Sequence, residues 1–271
     1  DFIKFTPPAD AEFLHYGSCK SIDMIPMTPD GKPTPALLTK AALESASIPQ
    51  VIINAGSKIP PKLPYFQTGI VHGKNIAIEP GLEQSNVVHA IDYGRILGRT
   101  LASCTDCLVI GESIPAGTTT ALAVLKSLGI DAHVSSSMPK NPQSLKNGIV
   151  EKALKRSDSK EAYDVIANVG DPMIPFVAGM LSTASEITNV ILAGGTQMAA
   201  VLAIAKSTGY DESRVALGTT SYIIDDKTAN LLDMIKSISD IPVLSINPGL
   251  NNSKFDGLRA YSKGFVKEGV G

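Results

Sequence analysis

The chain has 271 residues, which is enough for one large domain or for one domain with a small companion. Its formal net charge of −2 gives no electrostatic reason to expect nucleic acid or an anionic membrane as a partner. It has no run of about 18 apolar residues that would cross a membrane, and its first residues lack the apolar core of a signal peptide. We therefore expect a cytoplasmic protein.

Hydrophobic residues make up 44% of the chain and charged residues 18%, which is below the usual quarter. Low charge combined with many small and branched apolar residues is typical of a buried parallel sheet flanked by helices. We therefore expect a single α/β domain over residues 1–271.

The three cysteines, Cys19, Cys104 and Cys107, are too few and too scattered for a disulfide framework and indicate a reducing compartment. Cys104 and Cys107 have the spacing of a C-x-x-C motif, but a zinc site would need a second pair. A redox role is the alternative. We favour two ordinary small residues at the point where a helix passes into a strand.

The first part of the chain, residues 1–82, is expected to be partly irregular. Residues 1–33 contain five prolines and residues 58–82 contain four, which precludes regular structure over most of both segments. Between them the pattern predicts a helix that begins at Thr34, with a proline in its first turn, and a strand over residues 50–54. Long irregular segments in compact domains are usually functional, so we expect residues 58–82 to wall a ligand pocket or to reach across a dimer interface.

A short strand at residues 108–110 is followed by a glycine loop and then by a helix that begins at Thr118. Threonine is a good N-cap, because its hydroxyl accepts a free amide of the first turn. Such a helix start points bare amides and the positive end of the helix dipole at whatever lies above the strand. The stretch over residues 108–124 therefore predicts a binding site for a phosphate.

The loop between Gly111 and Gly117 differs from the two best-known phosphate loops. The P-loop has four residues between its glycines and a lysine after the second, whereas here five residues intervene and Thr118 replaces the lysine. The loop also lacks the Gly-x-Gly-x-x-Gly fingerprint of dinucleotide binding. It has Glu112 instead, directly after the strand. A carboxylate there indicates a group that handles a proton or a sugar hydroxyl, or one that only caps the loop.

The rest of the chain alternates strand, loop and helix. This rhythm predicts a three-layer αβα fold with a mostly parallel, Rossmann-like sheet, helices on both faces, and a small irregular or helical subdomain from the N-terminal region. Pro242, near the start of the last strand, indicates an edge position. The predicted strands cover residues 130–134, 164–169, 189–193, 215–217 and 241–246, and further helices cover residues 82–103, 174–184 and 197–207.

Glycines with small polar neighbours follow about six of the predicted strands. Taken singly, each glycine is best explained by a tight turn. Taken together they leave one edge of the sheet with little side-chain bulk and many amides, at the end where open α/β sheets bind ligands. This rim is the predicted site. Its glycines are Gly56, Gly111, Gly170, Gly194, Gly218 and Gly249.

Three carboxylates, Glu112, Asp171 and Glu268, lie in glycine loops. They would bind a metal, act as acid and base, or hold a sugar, but the sequence shows no histidines at ligand spacing. A carboxylate general base, with a phosphorylated substrate held by backbone amides, uses all these signals at once. A nucleotide-dependent oxidoreductase would need the missing fingerprint. A non-catalytic nucleotide-binding module would have no need for Glu112 and Glu268.

Three segments resemble the nicotinate-nucleotide–dimethylbenzimidazole phosphoribosyltransferases of cobamide biosynthesis, in their archaeal-type branch. Residues 111–119 resemble the family's Gly-Glu-x-x-x-x-Asn-Thr-Thr segment. Residues 169–179 are similar to its Val-Gly-Gly…Ala-Gly segment. Residues 267–271 are similar to its Gly-Glu-Gly-x-Gly, which carries the catalytic glutamate. Gly117 stands where many members have asparagine, and Asp171 where many have a second glycine.

The resemblance implies a pentosyltransferase that moves the 5-phosphoribosyl group from nicotinate mononucleotide to a benzimidazole-type base, giving α-ribazole phosphate and nicotinate. In this reading Glu268 takes the proton of the attacking base, and Glu112 lies near the ribose. Residues 1–82 would contribute to the base pocket or to the interface of a homodimer, and we expect no metal and no cofactor. The residues implied in substrate binding are Gly111, Gly117, Thr118, Thr119, Gly170, Asp171, Gly194 and Gly195.

Overall fold

The computed structural model describes residues 3–28 and 31–270, and Gly271, the last residue of the carboxyl-terminal motif, lies outside them. The N-terminal region opens with a short 3₁₀ turn, Ile3–Phe5, and helix α1, Thr6–Tyr16. The expectation that residues 1–33 are irregular is therefore wrong for this stretch. Its two prolines lie in the first turn of α1, where backbone amides need no acceptor within the helix, so they do not interrupt it.

Helix α2, Ala36–Ala46, begins two residues after the predicted start. Strands β1, Ile53–Asn54, and β2, Phe66–Gln67, pair in parallel as a small separate sheet. The loops on either side of β2 pack against the segment before the helix that begins at Met173. A Cβ added at Gly56 would lie 2.8 Å from Pro172 Cγ. The N-terminal region is therefore in contact with the chain next to Asp171.

The main sheet has four parallel strands in the order β3-β4-β5-β6. They are Cys107–Ile110, Asn189–Ala193, Val215–Thr220 and Val243–Ile246. The α/β class and the parallel sheet are thus confirmed. The edge position indicated by Pro242 is confirmed as well, because β6 is the last strand of the order.

Ten further helices lie between and after the strands of the described chain. None of the helices in its described part combines the length and apolarity needed to cross a bilayer. The helices are α3 Gln84–Ala102, α4 Gly117–Ser127, α5 Gln143–Leu154, α6 Ala162–Val169, α7 Met173–Ala184, α8 Thr196–Thr208, α9 Ser221–Ile224, α10 Leu231–Ile238, α11 Asp256–Tyr261 and α12 Lys267–Val270, with 3₁₀ turns at Glu212–Arg214 and Leu250–Asn252.

The two faces of the main sheet differ in burial. Successive strands step in one direction across the sheet, so right-handed crossovers place the connecting helices on one face. There α8 contacts α4, α7 and α10, and the strand residues Leu192 and Leu217 are fully buried. We expected helices on both faces, but on the other face of the described sheet Val109, Leu244 and Ile246 are 54%, 51% and 66% exposed.

Two predicted strands are wrong. Residues 130–134 form no strand, because the backbone of His133 bonds to Asn230 through both its amide and its carbonyl instead of joining the sheet. Residues 164–169 belong to helix α6, in which Val165 and Val169 are four residues apart and both buried. A short apolar run fits a buried strand and a buried helix equally well, so its periodicity does not separate the two.

Candidate active site

The loop after β3 carries Glu112 to the carboxyl edge of the sheet, and α4 begins at Gly117. The predicted threonine N-cap is wrong. The N-cap is Ala116, whose φ of 60° turns the chain left-handed, so the threonines fall inside the first turn. Thr118 and Thr119 there are half-buried. The amide of Thr119 donates to the Ala116 carbonyl at 2.9 Å, and the amides of Gly117 and Thr118 have no acceptor in the described structure, so they are the free donors of this turn.

Asp171 joins two helix N-termini. Its Oδ1 accepts the amides of Met173 and Ile174, at 3.1 and 3.3 Å, in the first turn of α7. Its Oδ2 accepts the hydroxyl of Thr120, in the first turn of α4. Burial raises the pKa of this carboxyl, and these hydrogen bonds oppose the rise. Gly170, the residue before Asp171, follows helix α6 and not a strand. It still lies beside the predicted rim, because Asp171 contacts Thr120 in the first turn of α4.

Glu268 lies on α12 and is 4% exposed. Its Oε1 accepts the hydroxyl of Thr196 at 2.8 Å, and its Oε2 accepts the Thr196 amide at 3.3 Å, at the start of α8. A Cβ at Gly195 would overlap Glu268 Oε2, so the glycine makes room for the carboxylate. Burial raises the pKa of Glu268, while the bonds from Thr196 oppose the rise.

Glu112 interacts electrostatically with Asp171 and Glu268. The residue as a whole is half-buried, but its Oε2 atom is buried and has no hydrogen-bond partner among the described residues. Burial, followed by the negative charges of Asp171 and Glu268, raises the pKa of Glu112 to about 8. The structure therefore brings together the three carboxylates that the sequence indicated.

Four of the six predicted rim glycines follow or lie in strands of the main sheet, whereas Gly170 follows α6 and Gly56 follows β1 of the small separate sheet, so the predicted place of Gly56 on the same sheet edge is wrong. Gly111 follows β3, and Gly194 follows β4, where its amide donates to the carbonyl of Gly218 at 2.9 Å. Gly218 lies within β5, which continues to Thr220, so the predicted loop after residue 217 is wrong. Gly249 is exposed beyond β6, with a φ of 65°. The site is thus built at the ends of β3 and β4 and beside α4, α7 and α8.

Several polar groups at the rim were missed by sequence reasoning. Asp10 on α1 accepts the hydroxyls of Ser113, at 2.8 Å, and of Thr34, at 2.6 Å. It was missed because α1 was expected to be irregular. Buried side-chain oxygens of Gln197 and Thr219 have no hydrogen-bond partner in the described structure.

Two buried lysines lie near Glu268. Lys267 Nζ is 2.7 Å from Asp226 Oδ2. Lys146 Nζ donates to the Ser135 carbonyl at 2.6 Å, and burial lowers the pKa of this lysine to about 8. No sequence signal connects these residues, because they are far apart in the chain and meet only in the fold.

The C-x-x-C pair lies away from this site. Cys104 follows α3 and Cys107 opens β3, both exposed and free, at the passage from helix to strand that was expected. A cleft of about 750 Å³ at this amino edge of the sheet is lined by neighbouring residues and Arg214, and it contains none of the three carboxylates. Within residues 3–28 and 31–270, no three His, Cys, Asp or Glu side chains are placed to hold a metal ion.

Curated relatives match the whole chain. A UPF0284 protein of Archaeoglobus fulgidus is 49% identical over 271 residues, covering 100% of this chain and 78% of the relative. A UPF0284 protein of Pyrococcus furiosus is 41% identical over 280 residues and is covered to 82% of its length.

Solved structures share the fold at low identity. CobT from Thermus thermophilus superposes with a TM-score of 0.68 at 17% identity, over 97% of this chain and 72% of that chain. A nicotinate-nucleotide–dimethylbenzimidazole phosphoribosyltransferase from the same organism superposes with a TM-score of 0.60 at 19% identity, over 84% and 67%. The model of a family described as phosphoribosyltransferase matches residues 41–216, more than half of the chain. The chain therefore belongs to this phosphoribosyltransferase family, as its glycine loops indicated.

Proposed function

We propose that the protein transfers the 5-phosphoribosyl group of nicotinate mononucleotide to a benzimidazole-type base, releasing nicotinate and forming α-ribazole phosphate. The observation that carries this proposal is the pair of carboxylates, Glu112 and Glu268, held at the sheet edge beside helix N-termini. Family membership supports phosphoribosyl transfer, and the fold shared with the Thermus enzyme supports this choice of substrates.

The free amides at the start of α4 would bind the substrate phosphate. Gly117 has no side chain, and a Cβ there would lie 3.2 Å from both Gln197 Nε2 and Ile114 Cγ2. These two side chains pack so closely on Gly117 that a larger residue would have to displace them. The positive end of the helix dipole at this first turn favours an anion. Thr118 and Thr119 add hydroxyls to the same turn.

Glu268 would act as the general base. An imidazole nitrogen that attacks the ribose C1′ makes the ring cationic, and the other ring nitrogen then loses its proton. A buried carboxylate with a raised pKa is a stronger base than a solvated one, and the two bonds from Thr196 fix its direction. Glu268 accepts the proton as the bond from C1′ to nicotinate breaks.

Glu112 would face the ribose. With a pKa of about 8 it holds its proton near neutral pH when no substrate is bound, and it can donate to a ribose hydroxyl. The other oxygen of this carboxyl would face the positive charge that develops at C1′ and stabilise it. Its unpartnered buried oxygen supports a role toward a ligand over one of capping the loop.

The test is incubation of the protein with nicotinate mononucleotide and 5,6-dimethylbenzimidazole, followed by chromatography with mass detection. The Archaeoglobus relative, of which this chain covers 78%, is assayed in parallel. We expect nicotinate and α-ribazole phosphate to appear in equal amounts. Calorimetric binding of the nucleotide without product from benzimidazoles, purines or phenols would contradict the proposal and favour a nucleotide-binding module.

A further inference from the structure

We propose that the buried ion pair between Lys267 and Asp226 is a positioning device that holds Glu268 in its catalytic place. The inference rests on the proposed function, because it assigns Glu268 the role of general base. Neither Lys267 nor Asp226 is proposed to contact the reacting atoms. They act through the backbone of α12.

The ion pair is well built. Lys267 Nζ lies 2.7 Å from Asp226 Oδ2, and the two side chains are 10% and 4% exposed. Oδ2 of Asp226 also accepts the Ser135 hydroxyl at 2.5 Å, and its Oδ1 accepts the amide and hydroxyl of Thr228 at 3.0 and 2.8 Å. Burial alone would raise the pKa of Asp226, but the bonds from Lys267 and Ser135 lower it to about 2.

The helix that carries Glu268 cannot hold itself in place. It has only four residues, and a helix this short gains too few internal hydrogen bonds to be stable alone. The residue before it, Val266, has a φ of 54°, a strained value for a β-branched side chain. Tertiary contacts must therefore fix the helix. Besides the bonds from Thr196 to Glu268, they include the Val266 amide, which donates to the Ser137 carbonyl at 2.7 Å, the close packing of Gly269 on Pro35, and the Lys267–Asp226 pair.

The pair also sets the charge around Glu268. The groups that face this carboxylate are Thr196 on α8, Ser135 in the loop before α5, Lys146 on α5 and Glu112 after β3. Lys267, the residue before Glu268 in the chain, is neutralised by Asp226. If Asp226 loses its charge, Lys267 becomes a lone buried cation beside Glu268 and favours the ionised carboxylate.

The test compares Asp226→Asn, Lys267→Met, the double variant and the conservative Lys267→Arg in the transferase assay. A misplacement of about 1 Å at a catalytic group costs about 10²-fold in rate, so we expect Asp226→Asn and Lys267→Met to lower kcat by about that factor. The KM for nicotinate mononucleotide stays within about two-fold, and Lys267→Arg recovers most of kcat. In Asp226→Asn the acidic limb of the kcat profile moves to lower pH, and the double variant reverses this shift.

A matched control is Lys206→Met, which breaks the exposed pair of Lys206 with Glu212, 3.1 Å apart, and leaves kcat unchanged. Hydrogen exchange of the amides of residues 266–269 gives a reading independent of activity, and Lys267→Met should lose their protection. An inactive wild-type protein would refute the proposed function alone. Wild-type turnover with unchanged kcat in both single variants, or unchanged exchange in Lys267→Met, would overturn the positioning role.

Discussion

The loop after β3 and the helix α12 each bring one glutamate to the same edge of the sheet, but the two side chains are held in opposite ways. Glu268 is buried, bonded twice by Thr196, and fixed through its neighbour Lys267. Glu112 keeps a buried oxygen with no partner among the described residues, and its pKa rises to about 8. A carboxylate whose hydrogen bonds are already made is positioned for its task. Burying a carboxylate oxygen without a hydrogen-bond partner costs free energy until a ligand supplies that partner.

The largest effect should come from removing the base at the satisfied site. General-base catalysis contributes about 10² to 10⁴-fold, so Glu268→Gln should lower kcat by that order. Calorimetry should show unchanged binding of nicotinate mononucleotide, because glutamine keeps the size of the side chain. Turnover equal to that of the wild type would remove Glu268 from the role and would leave Glu112 as the candidate base.

Displacing the same carboxylate without changing it should have the next largest effect. A Cβ at Gly195 overlaps Glu268 Oε2, so Gly195→Ala should push the carboxylate away and lower kcat by about 10²-fold. The matched control is Gly148→Ala on α5, where an added Cβ meets nothing within 4 Å. That change should leave kcat unchanged. Equal activity of both variants would show that the position of Glu268 does not limit the reaction.

Removing one hydrogen bond from the satisfied site should cost less. A hydrogen bond to a charged group contributes about 1.5–3 kcal/mol, so Thr196→Val should lower kcat by about ten- to hundred-fold. Thr196→Ser keeps the hydroxyl and should retain most of the activity. The two variants are compared by steady-state kinetics at several pH values. If the valine variant kept its activity while the serine variant lost it, the methyl group and not the hydroxyl would be what matters.

The sequence indicated the carboxylates of the candidate site but not the residues that hold them. The strand over residues 189–193 was predicted with the bounds that β4 has, since its uninterrupted apolar run is followed at once by two glycines, which is typical of a buried strand that ends in a loop. Glu112 and Glu268 were found because each lies in a local motif of glycines. Such motifs consist of residues that are neighbours in the chain, so they can be recognised in the sequence itself.

The supporting residues could not be found in this way. Asp226 and Lys267 form one ion pair across 41 positions of the chain, and neither lies in a recognisable motif. Asp10 was hidden because prolines in the first turn of α1 resemble those of an irregular segment. Helix α6 was read as a strand because its apolar run is short. Each of these errors concerns a contact between distant residues, or the helical or other conformation of a short segment, and only the tertiary structure decides these.

The smallest effect should appear in stability and should belong to Glu112. Its folded-state pKa of about 8 lies above the ordinary value of 4.5, so between these pH values the folded protein keeps a proton that the unfolded chain has released. The stability linked to this proton is fully present below pH 4.5 and is lost as the pH rises towards 8. Thermal unfolding followed from pH 5 to pH 8 should therefore show a falling Tm.

Glu112→Gln stays neutral throughout and should flatten this dependence, because it removes the cost of ionising a buried group. The gain at pH 8 would be on the order of a few kcal/mol at most, since water reaches part of the residue. Glu151→Gln, which changes an exposed glutamate on α5, should leave the slope as it is. An unaltered slope in Glu112→Gln would assign the buried proton to Asp171 or Glu268, whose pKa values are also raised by burial. In that case Glu112 would be ionised in the empty site, and its unpartnered oxygen would call for a donor from the substrate in place of an acceptor.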